Sequence, residues 1–125
     1  MIRGVGVDII EIARVQDLVE RYGERFLCKI FTEGEIRYCS SRHHAAQHFA
    51  VRFAAKEALS KALATGWAGS FRWTDVETRN EPSGRPVLSV RGPLQDALGG
   101  ATAHVSLSHS ASHVVAVVVI EDGPR

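Results

Sequence analysis

The sequence runs to 125 residues, 45% of them hydrophobic and 23% charged, with a formal net charge of +1. That length supports one domain with a real core and is too short for two. The even charge balance argues against a nucleic-acid coat protein, although it leaves room for a local basic patch.

In chain order, residues 1–12 open with β-branched apolar side chains (Ile2, Val5, Val7, Ile9, Ile10) and predict a strand with Asp8 inside it. Asp8 and Glu11 break this stretch before it could act as a secretory signal. From Ile12 the apolar positions Ile12, Val15, Leu18 and Val19 recur at helical spacing, leaving Arg14, Asp17, Glu20 and Arg21 for a polar face. Cys28 and Cys39 have neither Cys-x-x-Cys nor zinc-ligand spacing and read as two reduced packing cysteines of a cytosolic protein. Thr32-Glu33-Gly34-Glu35 has the form of a capping box that starts a short helix through Tyr38. A long helix follows from His44 to Ala64, with Gly66 as its stop.

Strands at 76–78 and 86–91 flank the turn Glu81-Pro82-Ser83-Gly84, and residues 93–98 make a helical turn. Two last strands, 103–108 and 113–120, join through Ser110-Ala111-Ser112. The second is nearly continuous Val and Ile, as in a strand buried on both faces. Its apolar run is far too short to cross a bilayer. With no repeat or linker, the pattern predicts a single-domain α+β protein, soluble and cytoplasmic, with no nucleic-acid and no membrane partner.

Three places break the packing rules of these elements. Asp8 is a carboxylate in an otherwise apolar strand, where a buried charge needs a cation, donors or water. Period-two alternation could simply put it on a solvated face, but Gly4 and Gly6 point to close approach by a ligand or another backbone. In the long helix, Phe49, Phe53, Leu59 and Leu63 gather on one side, and Ala54, Ala55, Ala58 and Ala62 cover much of the other. A helix apolar nearly all round is a buried one. Glu57 and Lys61 share a narrow polar window in it and read as lining a cleft. An exposed pair at this spacing would contribute only ~0.3–0.5 kcal/mol. Arg52 and Lys56 project near the bulky side, where each must snorkel or meet an anion.

The third place is His104-Val105-Ser106-Leu107-Ser108-His109. Alternation puts His104, Ser106 and Ser108 on one face, a row of hydrogen-bonding groups suited to a phosphate or a nucleotide, or else simply a solvated face. Zinc on His104, His109 and His113 is disfavoured by their spacing and by the lack of a cysteine or a His-Glu-x-x-His motif. His43, His44 and His48 crowd the start of the long helix with no specific role. The stretch from Trp67 to Trp73 is more aromatic than a loop requires.

Together, Gly4-Val5-Gly6-Val7-Asp8-Ile9 with Arg14, the stretch from Arg52 to Ala62, and His104 to His109 resemble the three motifs of the short, free-standing 4′-phosphopantetheinyl transferases. Order, spacing and length agree across essentially the whole chain. The resemblance implies that family's fold, an antiparallel sheet packed against a long central helix. It implies transfer of 4′-phosphopantetheine from coenzyme A to a serine of an apo acyl carrier protein, with release of 3′,5′-ADP, in support of fatty acid biosynthesis. Asp8 and Glu57 would bind Mg²⁺, Glu57 would activate the serine, and Lys61 would neutralise the departing 3′,5′-ADP.

Arg52, His104, Ser106 and Ser108 are then candidates for the nucleotide and its phosphates, and Ser83, Gly84, Arg85 and Pro86 resemble the loop at its adenine end. Arg14, Arg21 and Arg25, beside Phe26, would dock the acidic carrier protein, although Arg21 and Arg25 could instead pair with Asp17, Glu20 and Glu24 on a solvated face. Longer members carry two copies of the fold. A chain with one copy is expected to be a homotrimer with active sites between subunits, where the aromatic stretch from Trp67 to Trp73 would pack at the centre. The competing readings are a non-catalytic module that binds coenzyme A or the carrier, and a histidine-based metal hydrolase.

Overall fold

In a computed structural model that describes residues 1–63 and 72–124, the chain builds two antiparallel sheets and five α-helices. Strand β1 (Ile2–Glu11) runs directly into helix α1 (Ile12–Tyr22). Gly23 ends α1 in a left-handed conformation (φ 52°), and α2 (Glu24–Ile30) starts after it. The sequence reading did not predict α2, although Phe26, Leu27 and Ile30 carry the helical spacing of its buried side. Helix α3 (Glu33–Ser40) begins in a full capping box: the Glu35 amide donates to Thr32 Oγ1 (3.2 Å), and the Thr32 amide donates to Glu35 Oε1 (2.9 Å).

Helix α4 (Ala45–Leu63) is the centre of the fold, buried on nearly every side. Its expected last residue Ala64, the stop at Gly66, and Trp67 lie outside the described residues. A 3-10 turn at Trp73–Asp75 leads into the hairpin of β2 (Val76–Asn80) and β3 (Pro86–Val90). Trp73 packs edge-on to Phe53 of its own chain, with centroids 5.4 Å apart. Helix α5 (Gly92–Leu98) then precedes β4 (Thr102–His109) and β5 (His113–Glu121).

The larger sheet has the order β1-β5-β4, with α4 across one face. Toward α4 point Gly6 and Ile10 of β1 and Val114, Ala116, Val118 and Ile120 of β5, all buried. The small residues explain the fit. A Cβ on Gly4 would lie 2.0 Å from the Ala62 carbonyl oxygen, and one on Gly6 would lie 1.9 Å from that of Ala58. Strand glycine facing helix alanine therefore lets two backbones touch, and the glycines flanking Asp8 answer to this helix.

The other face of the same sheet differs from expectation. Strand β5 is fully buried on one side only, since Val115, Val117 and Val119 remain partly exposed. Beside them Val5, Val7 and Ile9 of β1 are 60%, 53% and 66% exposed. A continuous Val/Ile run has two apolar sides, and the chain folds a helix onto one of them.

The cysteines also divide. Cys39 is buried, and burial pushes its thiol up to about 12, whereas Cys28 is exposed and is not a packing residue. Helical phase puts Cys28 on the outer side of α2, between the buried Leu27 and Ile30.

Candidate active site

The close seating of β1 on α4 has a chemical consequence. Asp8 is the next residue after Gly4 and Gly6 on the face turned to the helix, so its carboxylate meets the polar window of α4. Lys61 Nζ donates to Asp8 Oδ1 at 2.9 Å and to the Val7 carbonyl at 3.1 Å. Asp8 is only 16% exposed in its side chain, while Lys61 keeps 55%. The partner of Lys61 is thus the strand aspartate across the cleft.

Glu57 is half-buried in the same cleft. Burial raises its proton affinity, and the Asp8 charge raises it further, against the opposing pull of Lys61 and Arg14. Two carboxylates from different elements therefore lie close enough to repel, with Lys61 bonded to Asp8 and both Lys61 and Arg14 near enough to act on Glu57. Among the described residues no group of three or more His, Cys, Asp or Glu side chains could hold a metal ion. A site of two carboxylates fits a hard cation such as Mg²⁺, which keeps several waters and shares phosphate oxygens. Asp8 and Glu57 would be its ligands.

The other candidates lie elsewhere. Arg52 and Glu57 are five residues apart on α4, which turns them roughly 140° from each other. Arg52 is buried on the hairpin side, where Nη2 donates to Asn80 Oδ1 (2.8 Å), Nη1 reaches the His48 carbonyl (3.5 Å), and Nε has no partner. Its guanidinium stacks on Tyr38, 4.4 Å from the ring centroid, and Arg42 stacks on the same ring at 4.3 Å. Asn80 Nδ2 donates in turn to the Gly84 carbonyl (3.0 Å). Arg52 is thereby joined to the turn that carries Ser83, Gly84, Arg85 and Pro86. Gly84 has φ 92°, a conformation that favours glycine.

His104, Ser106 and Ser108 are exposed on the outer face of the larger sheet, in register with Val119, Val117 and Val115. His104 Nε2 lies 3.0 Å from Glu121 Oε1. The sheet itself separates this row from Asp8 and Glu57. One chain therefore does not bring the three candidate groups together.

On α1, Arg14 is exposed and faces the Glu57 cleft electrostatically. Arg21 pairs with Asp17 at 3.5 Å, the solvated-face alternative, and Arg25 is exposed. Phe26 is half-buried and packs edge-on against Phe31 (6.0 Å) and Phe53 (6.1 Å), so its ring belongs largely to the core.

Sequence reasoning missed Asn80 and Tyr38, which orient Arg52, and Glu35 as the partner of Lys56. Lys56 meets its anion inside the chain: Glu35 Oε1 lies 2.8 Å from Nζ, and neither side chain is exposed. Glu35 was legible as a capping residue, but nothing in spacing ties it to a lysine twenty-one positions on. His48 also has a place, edge-on to Tyr38, with its proton affinity lowered by burial and by Arg52 and Arg42.

Comparison with known proteins sets these features in a family. The family model described as the 4′-phosphopantetheinyl transferase superfamily matches residues 4–118. A holo-[acyl-carrier-protein] synthase of Koribacter versatilis is 46% identical, covering 98% of this chain and all of that one. Among solved structures, the holo-[acyl-carrier-protein] synthase of Neisseria meningitidis superposes with a TM-score of 0.88 at 30% identity, covering 98% of this chain and 100% of that one. That of Helicobacter pylori, in complex with coenzyme A, gives 0.84 at 31% identity and covers 94% and 99%.

Proposed function

Because the chain belongs to the 4′-phosphopantetheinyl transferase superfamily, we propose that it is a Mg²⁺-dependent holo-[acyl-carrier-protein] synthase. Residues 1–125 form one transferase domain that takes coenzyme A and an apo acyl carrier protein as substrates. The observation that carries this reading is the meeting of Asp8, Glu57 and Lys61 between β1 and α4.

The carrier serine oxygen attacks the pantetheine-side phosphorus of the coenzyme A pyrophosphate. The bond from that phosphorus to the bridging oxygen breaks, and 3′,5′-ADP leaves. Glu57 takes the serine proton, directly or through water. Asp8 and Glu57 would hold a Mg²⁺ ion, which when bound would supply positive charge to the pyrophosphate. Lys61, at the rim of the same cleft, offsets charge on the departing nucleotide. Arg52, the turn at residues 83–86, and His104, Ser106 and Ser108 take the nucleotide and its phosphates. Arg14, Arg21 and Arg25, with the exposed edge of Phe26, steer and dock the acidic carrier.

The active protein is a homotrimer with its sites between subunits. Two features support this: the candidate groups lie apart within one chain, and the outer sheet face exposes Val5, Val7 and Ile9 together. The setting is the cytoplasm and the role is in fatty acid biosynthesis. No helix among the described residues is long and apolar enough to cross a membrane.

Intact-mass spectrometry of an apo acyl carrier protein with this protein, coenzyme A and Mg²⁺ tests the reaction. A gain of about 340 Da, lost with EDTA, is expected. No gain with several carriers, despite coenzyme A binding, leaves a binding module instead. Light scattering tests the assembly, where Val7→Lys should yield an inactive monomer. A monomer with full activity overturns the shared site.

A further inference from the structure

The buried charge pair next to the site has no part in the chemistry above, yet both of its members are fully partnered. Lys56 Nζ lies 2.8 Å from Glu35 Oε1 and donates to the carbonyls of Trp73 (2.9 Å) and Val76 (2.6 Å), which uses all three of its donors. Glu35 Oε1 also accepts from the Thr32 amide, and Oε2 accepts from the Thr78 amide at 2.9 Å. One ion pair thus ties α4 to the start of α3, to the 3-10 turn and to two residues of β2.

A buried ion pair is a poor way to gain stability, because desolvation offsets the attraction and an apolar pair often serves as well. What it provides here is a fixed position. Val76 and Thr78, held by the pair, lead along β2 to Asn80, which receives Arg52 and holds the Gly84 carbonyl. The turn at residues 83–86 therefore hangs from a strand whose inner end is pinned to α4 one residue before Glu57.

We propose that Lys56, through Glu35 and β2, is a positioning residue for coenzyme A. It sets the hairpin turn against the helix that carries the catalytic glutamate. This rests on the reading that the turn takes the adenine end of coenzyme A. The double variant Glu35→Gln/Lys56→Met removes both charges, so neither is left stranded. Its expected signature is a rise in the KM for coenzyme A of about tenfold or more, with kcat and the KM for the carrier protein within about threefold of the parent. A merely stabilising pair would lower the active fraction, and hence kcat, and leave the KM for coenzyme A where it was. That result overturns the proposal.

A second measurement needs no variant. In hydrogen exchange on the unaltered protein, the Thr78 amide should be as protected as the core amides of α4. Exchange at the rate of the exposed hairpin amides would overturn the anchor, even if the double variant failed to fold. An unaltered protein that transfers nothing overturns the transferase reading instead, and the exchange measurement still decides whether the hairpin is pinned.

Discussion

Lys56 and Glu57 are adjacent on one helix and carry opposite charges, yet the fold treats them in opposite ways. Lys56 is fully enclosed, and every proton it can donate has a partner. Glu57 is half-exposed, and its largest influence besides burial is a second carboxylate of like charge. The first environment is closed and satisfied, so it can only hold things in place. The second is open, and in it burial and a like charge outweigh Lys61 and Arg14, the condition under which a carboxylate gains from a cation or takes a proton. A single step along the helix, about 100°, separates the enclosed charge from the open one.

The sharpest way to break this contrast is to remove each charge in turn. Glu57→Gln should lower transfer by about a thousandfold or more while the protein stays folded, measured by the mass gain of the carrier and by circular dichroism. Retained turnover would take Glu57 out of the site. Lys56→Met should do the reverse, costing about 3–5 kcal/mol of stability because Glu35 is left in the core without a counter-charge. Urea unfolding reads this directly, and the double variant with Glu35→Gln should recover most of the loss. If Lys56→Met were as stable as the parent, the pair would not be the closed unit that its geometry describes.

Gly6→Ala asks whether the cleft depends on the seating of β1. The added methyl meets the Ala58 carbonyl, which is backbone and has nowhere to go, so about 3 kcal/mol of stability should be lost. Gly100→Ala, where nothing lies within reach of the new Cβ, is the control and should melt like the parent.

The smallest effect concerns pH. Folding raises the proton affinity of Glu57, so this group favours the folded state below its ordinary pKa of 4.5, and that contribution is lost as pH rises through the folded value. Glu57→Gln never takes on the charge. It should therefore melt a few degrees above the parent near neutral pH and alongside it below 4.5. Parallel melting curves at every pH would mean that neither burial nor Asp8 loads this carboxylate.

Much of the fold was legible because periodicity and capping are local. The strand ending near Glu11, the capping box at Thr32 and Glu35, the all-round apolar α4 and the last two strands stand where sequence pattern puts them. Helix α2 was overlooked, since Arg25 and Phe26 drew attention as a surface strip while Leu27 and Ile30 carried the packing signal. Site residues fared according to range. Asp8, Glu57 and Lys61 stood out as charges in apolar segments, and the fold gathers them. Arg52 and Lys56 gave the same signal, yet both find partners inside the chain, Asn80 for one and Glu35 for the other.

The sequence by itself determined which side chains are anomalous for their segments, because burial of a helix or strand follows from its own spacing. It flagged Gly4 and Gly6 as points of close approach but left open whether a ligand or another backbone comes near, and the fold answers with α4. Only the tertiary structure decided which anomaly is satisfied and which is not. Whether a buried charge is scaffold or chemistry depends on what comes within about 3 Å of it, and that partner lay twenty-one residues before Lys56 but fifty-three before Lys61.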